Sequence, residues 1–294
     1  MHTILGAGGP IATELARHLP ALTAEPLRLV SRHPRPVNLG DELLVADLTD
    51  AAQVQRAVAG SGVVYLTAGL PYDTATWQRD WPRIMTNVLD ACEQHGARLV
   101  FFDNVYAYGI VEGPMTETTP FRPVSQKGEV RARLAQQLLD AAQAGRVEAL
   151  IARAADFYGP SPLNALPNLL VLDKLRQREA ALWLGNADLP HSLTFTPDAG
   201  RATAVLGTTP SAFGQTWHLP TAAPPPTARQ FARQAAAAYG VPLELTVLAE
   251  APLLELAELM YQYELPYVFD SRKFEQQFFA ATPYAAGIRQ ATST

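Results

Sequence analysis

Thr3-Ile4-Leu5-Gly6-Ala7-Gly8-Gly9-Pro10-Ile11-Ala12 sets an apolar run, a glycine turn and the start of a helix in direct succession. The run reads as a strand, and Ala12 to Leu19 as the helix that follows. A glycine at the reversal permits a tight turn, and the next lets backbone N–H groups approach a bound group closely. The small Ala12 lets helix and strand pack together, and a helix N-terminus offers unpaired amides to a phosphate. Strand, glycine turn and helix in this order are the setting of a dinucleotide site, with Gly6, Gly8, Gly9, Pro10 and Ile11 as candidate contacts. The same turn alone also serves as an ordinary strand-to-helix loop, so the surrounding chain has to decide.

The first half of the chain supports the nucleotide reading. Leu27 to Val30, Leu43 to Ala46, Val63 to Leu66, Arg98 to Phe102 and Ala149 to Ala152 are short, nearly continuous apolar runs. Such runs suit a parallel sheet covered on both faces. Helical segments fall between them, at Ala51 to Ala59, Trp77 to His95 (with Gly96 as its C-cap) and Lys127 to Ala144. The pattern predicts an α/β fold, a doubly wound parallel Rossmann sheet with a smaller, mainly helical C-terminal lobe for the substrate. The expected division is 1–158 with 189–220 for the sheet, and 159–188 with 221–294 for the lobe. The proline-rich stretch Pro220 to Pro226 reads as the link, and helices are expected at Thr227 to Tyr239, Pro252 to Tyr263 and Ser271 to Ala280. The tail from Gln290 to Thr294 reads as disordered.

Composition removes several function classes. A net charge of −5 gives no electrostatic case for nucleic acid, and no apolar run approaches a membrane span. Cys92 is the single cysteine, so neither an intrachain disulfide nor a cysteine metal site is expected, and the six histidines show no metal-ligand spacing. No basic, apolar leader pattern precedes the first strand, and a cytoplasmic protein is the expectation.

The end of the second strand bears on the choice of phosphate. It reads Ser31-Arg32-His33 and carries no carboxylate for a ribose 2′-hydroxyl. A serine and an arginine there suit a 2′-phosphate, so NADP is expected over NAD. Asp47-Leu48 after the third strand could meet the adenine amino group, or cap the next helix. Thr67-Ala68-Gly69 after the fourth leaves room for the adenosine ribose, and Tyr158 and Lys127 complete the candidate cofactor contacts.

With these residues in place, the chain resembles the extended short-chain dehydrogenase/reductase superfamily, in its NAD-dependent epimerase/dehydratase branch. The resemblance is carried by the glycine turn, Asp47-Leu48, Thr67-Ala68-Gly69 and Phe101 to Gly109, together with Arg153 to Pro160 and Phe195 to Asp198. It covers about the first two-thirds of the chain by motif. The resemblance implies a catalytic Ser or Thr after the fifth strand and a Tyr-x-x-x-Lys pair on the next helix. Here Asn104 stands at the first position. The helix has no such pair, and Lys127 and Arg131 occupy its two places. Spaced by four, they share one side of the helix. Arg131 could hold the nicotinamide ribose or a phosphate, and Lys127 could donate a proton or serve as a purely structural or phosphate-binding cation. Tyr106, after the fifth strand, is the next candidate acid, with Tyr72 and Tyr108 behind it. Asp103 could fix Asn104 or a cation.

The family's sugar-nucleotide enzymes commonly carry a phosphate-binding arginine where this chain has His191, which weakens a nucleotide-sugar reading. Trp183, Tyr261, Tyr263 and Tyr267 are candidate aromatics over an apolar substrate. The main expectation is an NADP-dependent oxidoreductase acting on a small carbonyl, hydroxyl or activated alkene. The alternatives are an epimerase or dehydratase that uses its cofactor transiently, and a non-catalytic NADP-binding sensor. A homodimer through the two long helices would follow from the resemblance.

Overall fold

The computed structural model describes residues 1–160, 164–249 and 261–293, and the chain divides into two compact units. The first unit holds Met1–Ala107, Gln126–Arg153 and Ala199–Trp217. Numbered along the chain, its sheet strands are β1 (His2–Leu5), β2 (Leu27–Ser31), β3 (Glu42–Val45), β4 (Val63–Leu66), β5 (Arg98–Asn104), β6 (Ala149–Ala154) and β10 (Thr216–His218). Their order across the sheet is β10-β6-β5-β4-β1-β2-β3. β1 pairs in parallel with both β2 and β4, as do β2 with β3 and β4 with β5.

All four residues of β1 are buried, and its polar side chains find partners inside. His2 Nδ1 bonds the Tyr65 hydroxyl at 2.9 Å, and Thr3 Oγ1 bonds the Ser61 hydroxyl at 2.7 Å. The helices are α1 (Pro10–His18), α2 (Ala51–Val58), α3 (Thr74–His95), α4 (Gln126–Gln143) and most of α6 (Thr196–Thr208). Asp50 and Asp73 cap α2 and α3 by accepting from the Gln53 and Thr76 amides, and Gly96 ends α3 in the left-handed conformation. From β1 the chain runs outward through β2 and β3, then crosses back to β4 and runs the other way. That reversal opens a crevice at the C-terminal ends of β1 and β4, the place where open α/β sheets take their ligands.

The second unit holds Tyr108–Ser125, Ala154–Asp198 and His218–Thr294, described residues only. Among the described residues its regular structure is mainly helical, with short strands besides. β7 (Asp156–Tyr158) pairs in parallel with β9 (Leu193–Phe195), and β8 (Ala181–Leu184) with β11 (Leu245–Leu248). Beside them lie α5 (Asp173–Arg176), α7 (Ala228–Tyr239) and short helices over Tyr261–Glu264, Arg272–Gln277 and Tyr284–Thr292. The last of these covers most of the tail expected to be disordered. Most of the helix expected at Pro252 to Tyr263 lies outside the described residues.

Segments 108–125, 154–158, 189–198 and 218–220 therefore belong to the second unit and not, as the sequence suggested, to the first. The reason is packing. Tyr158 and Phe195 stack at 5.2 Å, and Tyr158 meets Phe231 and Tyr284 at 5.4 and 5.8 Å within one buried cluster. The unit boundary at Trp217 falls just before the proline-rich link, which the second unit contains.

Candidate active site

The glycine turn leaves β1 at the crevice. Gly6 and Gly8 adopt φ of +99° and +100°, a region L side chains rarely enter. A Cβ on Gly6 would stand 2.4 Å from the Ala68 Cα, so the turn is pressed against the backbone that leaves β4. A Cβ on Gly8 would meet nothing within 4 Å, and Gly8 itself is exposed. Gly9 is the N-cap of α1 with no side-chain cap, and Pro10 occupies its first turn. Ile11 and Ala12 are buried against the sheet. Their amides begin a helix that no side chain caps, which is how an anion-binding terminus is built.

Around this turn the other candidates sit at strand ends. Thr67 donates from both its amide and its hydroxyl to the Leu5 carbonyl, at 2.9 and 3.2 Å, and so ties β4 to β1. Gly69 is exposed beyond it. Ser31 ends β2, and its hydroxyl accepts the His33 amide at 3.3 Å, which leaves Arg32 exposed on the bend between them. Asp47 does not cap α2; Asp50 does. The Asp47 carboxylate instead accepts the Thr49 amide and hydroxyl at 2.8 and 2.7 Å. Those two bonds, with a contribution from the Arg32 charge, hold its pKa below the usual carboxylate value. Leu48 is buried, and its carbonyl accepts from the Asn87 amide group.

At the ends of β4 and β5 the candidates for proton transfer draw together. Asn104, half-buried, accepts the Tyr106 amide on its Oδ1 at 3.1 Å. Tyr106 lies 3.4 Å from the Tyr72 hydroxyl and stacks beside Trp77. Lys127 enters from the first turn of α4 and has no exposed surface. Its Nζ donates to Thr74 Oγ1 at 2.8 Å and lies 4.4 Å from the Tyr72 ring centre. Lys127 thus stands as an internal cation, one of the roles the sequence left open for it.

Arg131 differs from expectation. It is 4% exposed, its Nε donates to Asp103 Oδ1 at 2.7 Å, and its Nη2 donates to the Phe102 carbonyl at 3.1 Å. On the other side, Arg153 clamps Asp103 Oδ2 through Nε and Nη2 at 3.0 and 2.7 Å. Burial alone would raise the Asp103 pKa, but the two guanidinium charges more than offset it and the carboxyl lies below its ordinary value. Arg131 is thus held by an internal anion rather than offered to a ribose. Tyr158 likewise leaves the set of cofactor contacts: it is fully buried in the second unit's core, and among the described residues its hydroxyl has no hydrogen-bond partner.

Two residues escaped the sequence reading. Thr74 directly follows the Asp73 cap, and its place as the first residue after that helix start is the signal that marks it. Arg153 stands in the buried run Ala149–Ala154, where an arginine requires an anion; that requirement pointed to Asp103.

In the second unit, His191 is 4% exposed and bonds Asp156 Oδ2 through Nε2 at 2.9 Å. Its ring lies between those of Tyr263 and Tyr267 at 5.0 and 4.4 Å, with Trp183 edge-on. The Tyr263 hydroxyl donates to the same Asp156 oxygen at 3.1 Å. These aromatics therefore pack around a histidine. Among the described residues, no helix is long and apolar enough to cross a membrane, and no group of three or more metal-binding side chains occurs.

The family model described as the NAD dependent epimerase/dehydratase family matches residues 2–213. No curated protein sequence matches. Among solved structures, the chain is similar to the UDP-glucose 4-epimerase of Thermus thermophilus in complex with NAD, at 19% identity and a TM-score of 0.83, covering 100% of this chain and 98% of that one. It is similar to the dTDP-glucose 4,6-dehydratase DesIV of Streptomyces venezuelae with NAD bound, at 16% identity and 0.82, covering 100% and 96%. The UDP-glucose 4-epimerase of Thermotoga maritima with UDP-glucose aligns at 15% identity and 0.83, covering 100% and 98%. At such identities these likenesses concern the fold.

Proposed function

The chain belongs to the NAD-dependent epimerase/dehydratase family, and from that premise we propose that it binds a nicotinamide dinucleotide at the β1–β4 crevice and works on a hydroxyl-bearing carbon of a small polar substrate. The observation that carries the proposal is the Gly6–Gly9 turn, set against Ala68 where a Cβ would not fit and leading into an uncapped helix start. Gly8, Gly9 and the first amides of α1 would take the pyrophosphate, Asp47 and Leu48 the adenine, and Thr67 to Gly69 the adenosine ribose. When bound, the dinucleotide supplies hydride acceptance and donation. Asn104 would donate to a substrate oxygen through its amide nitrogen, since its Oδ1 accepts the Tyr106 amide.

Family membership supports transient use of the cofactor, with hydride taken and returned during epimerisation or dehydration, over the net transfer that an oxidoreductase performs. The finer proposal concerns the 2′-phosphate. Two of the three solved neighbours carry NAD, which favours NAD as the fold's ordinary cofactor. The Ser31-Arg32 end of β2, with an exposed arginine and no carboxylate, supports NADP for this chain. Arg32→Asp is expected to weaken NADPH binding by about tenfold or more and narrow the gap to NADH. Unchanged selectivity in paired titrations contradicts the assignment.

Turnover tests the reaction class. With a catalytic amount of dinucleotide and a panel of UDP- and dTDP-hexoses, product in excess of the cofactor supports the epimerase/dehydratase reading. Product limited to one equivalent of cofactor supports the oxidoreductase instead. A protein that binds dinucleotide and converts neither sugars nor carbonyls is a sensor, the reading favoured by the internal engagement of Arg131.

A further inference from the structure

We propose that the second unit takes a phosphate-free hydroxy compound with no negative charge, and not a nucleotide sugar. This rests on the reading of the chain as a dinucleotide enzyme with that unit as its substrate lobe. The chain's charge is unevenly divided. The first unit carries fourteen Lys and Arg against fourteen Asp and Glu, and the second nine against fourteen. The whole net charge of −5 therefore belongs to the second unit. A like-charged ligand approaches such a surface more slowly and binds it less well, whereas a neutral or cationic one meets no such barrier. A diphosphate brings about two negative charges, and only cations or amides aimed at them offset their removal from water.

The placement of the cations points the same way. Every Lys and Arg of the second unit lies among the described residues. Lys174, Arg176, Arg229 and Arg272 are each ion-paired with a neighbouring carboxylate. Arg122, Arg178, Arg233 and Arg289 are exposed on four separate segments. Lys273 is half-buried within reach of the Glu117 charge. None of the nine is buried, whereas the first unit encloses Lys127, Arg131 and Arg153, none more than 4% exposed. The second unit's buried carboxylate among the described residues is Asp198, 6% exposed, which accepts the Thr282 amide and hydroxyl at 2.6 and 3.0 Å. His191 bonds Asp156, and its ring is enclosed by those of Tyr263 and Tyr267. A hydroxyl suits such surroundings, since it donates to a carboxylate or carbonyl and accepts from an amide with no charge to desolvate.

The test holds the sugar constant and changes its charge. D-glucose, D-glucosamine and UDP-glucose, with the matching galactose set and a panel of polyols, are given to protein saturated with oxidised dinucleotide. For each, kcat/KM is read at about 20 and about 300 mM salt, and UDP-glucose binding is titrated directly at both. The phosphate-free compounds are expected to include substrates whose kcat/KM exceeds that of the UDP esters by about 100-fold or more. UDP-glucose binding should be absent or should tighten as salt rises, because salt screens a repulsion; a built anion site would weaken. A UDP ester converted as well as its parent sugar, UDP-glucose binding that weakens with salt, or a panel with no phosphate-free substrate overturns the inference while the dinucleotide reading stands. Binding of neither dinucleotide, titrated beforehand, overturns that reading and the inference with it.

Discussion

Asp103 lies between Arg131 and Arg153 with essentially no exposure, so removing its charge leaves two buried guanidinium groups facing each other. Asp103→Asn is expected to cost about 3–5 kcal/mol, because an ion cluster broken at one member leaves uncompensated buried charge. Urea unfolding of the variant measures this, and a loss under about 1 kcal/mol contradicts it. Since the folded-state pKa of Asp103 is depressed, its contribution is fully present above the unfolded value of about 3.9. It is lost as pH falls through that value toward the folded pKa, so the wild type should lose stability there and Asp103→Asn should lose less. The four-residue spacing of Lys127 and Arg131 was legible, and both do lie buried on one helix. Asp103 was legible as a residue that could fix a cation, but that the cation is Arg131 was not, because the two lie far apart in sequence.

The glycine turn belongs to the scale of the element, a strand and a helix joined across a contact with a third strand's end. Gly6→Ala meets both a left-handed φ and the Ala68 backbone, whereas Gly8→Ala meets only the φ. Gly8→Ala should therefore cost about 1–2 kcal/mol, and Gly6→Ala more, with dinucleotide binding lost in the latter. Thermal melting and titration of both variants check the order, which equal losses would contradict. This element and the sheet around it were readable because strands buried on both faces leave continuous apolar runs, as Val63–Leu66 does. β3 is the exception that shows the cause: it is the sheet's edge, and Leu43 and Val45 are exposed on it. The second unit's strands escaped notice for a related reason. β7 and β9 are three residues long, too short for a period of two to appear, and a run such as Ala181–Leu184 reads equally as helix or strand.

At the scale of the whole molecule, Cys92 reports on integrity. It is 1% exposed, and burial pushes its thiol up to about 12. The native protein at pH 8 should not react with a thiol reagent over minutes, and one equivalent should react once denaturant unfolds the chain. Prompt labelling of the native protein would place Cys92 outside the core. The molecule has the parallel sheet and the glycine turn of its family, and Lys127 and Arg131 lie buried on one helix beside them. Binding and chemistry can therefore be tested separately, and binding comes first. Isothermal titration with NADPH and, separately, NADH is the most direct measurement. Saturable binding of a dinucleotide at one site per chain, tighter for NADPH and lost in Gly6→Ala, is the predicted result. Binding of neither would contradict the account, leaving the glycine turn a structural loop in a protein with some other ligand.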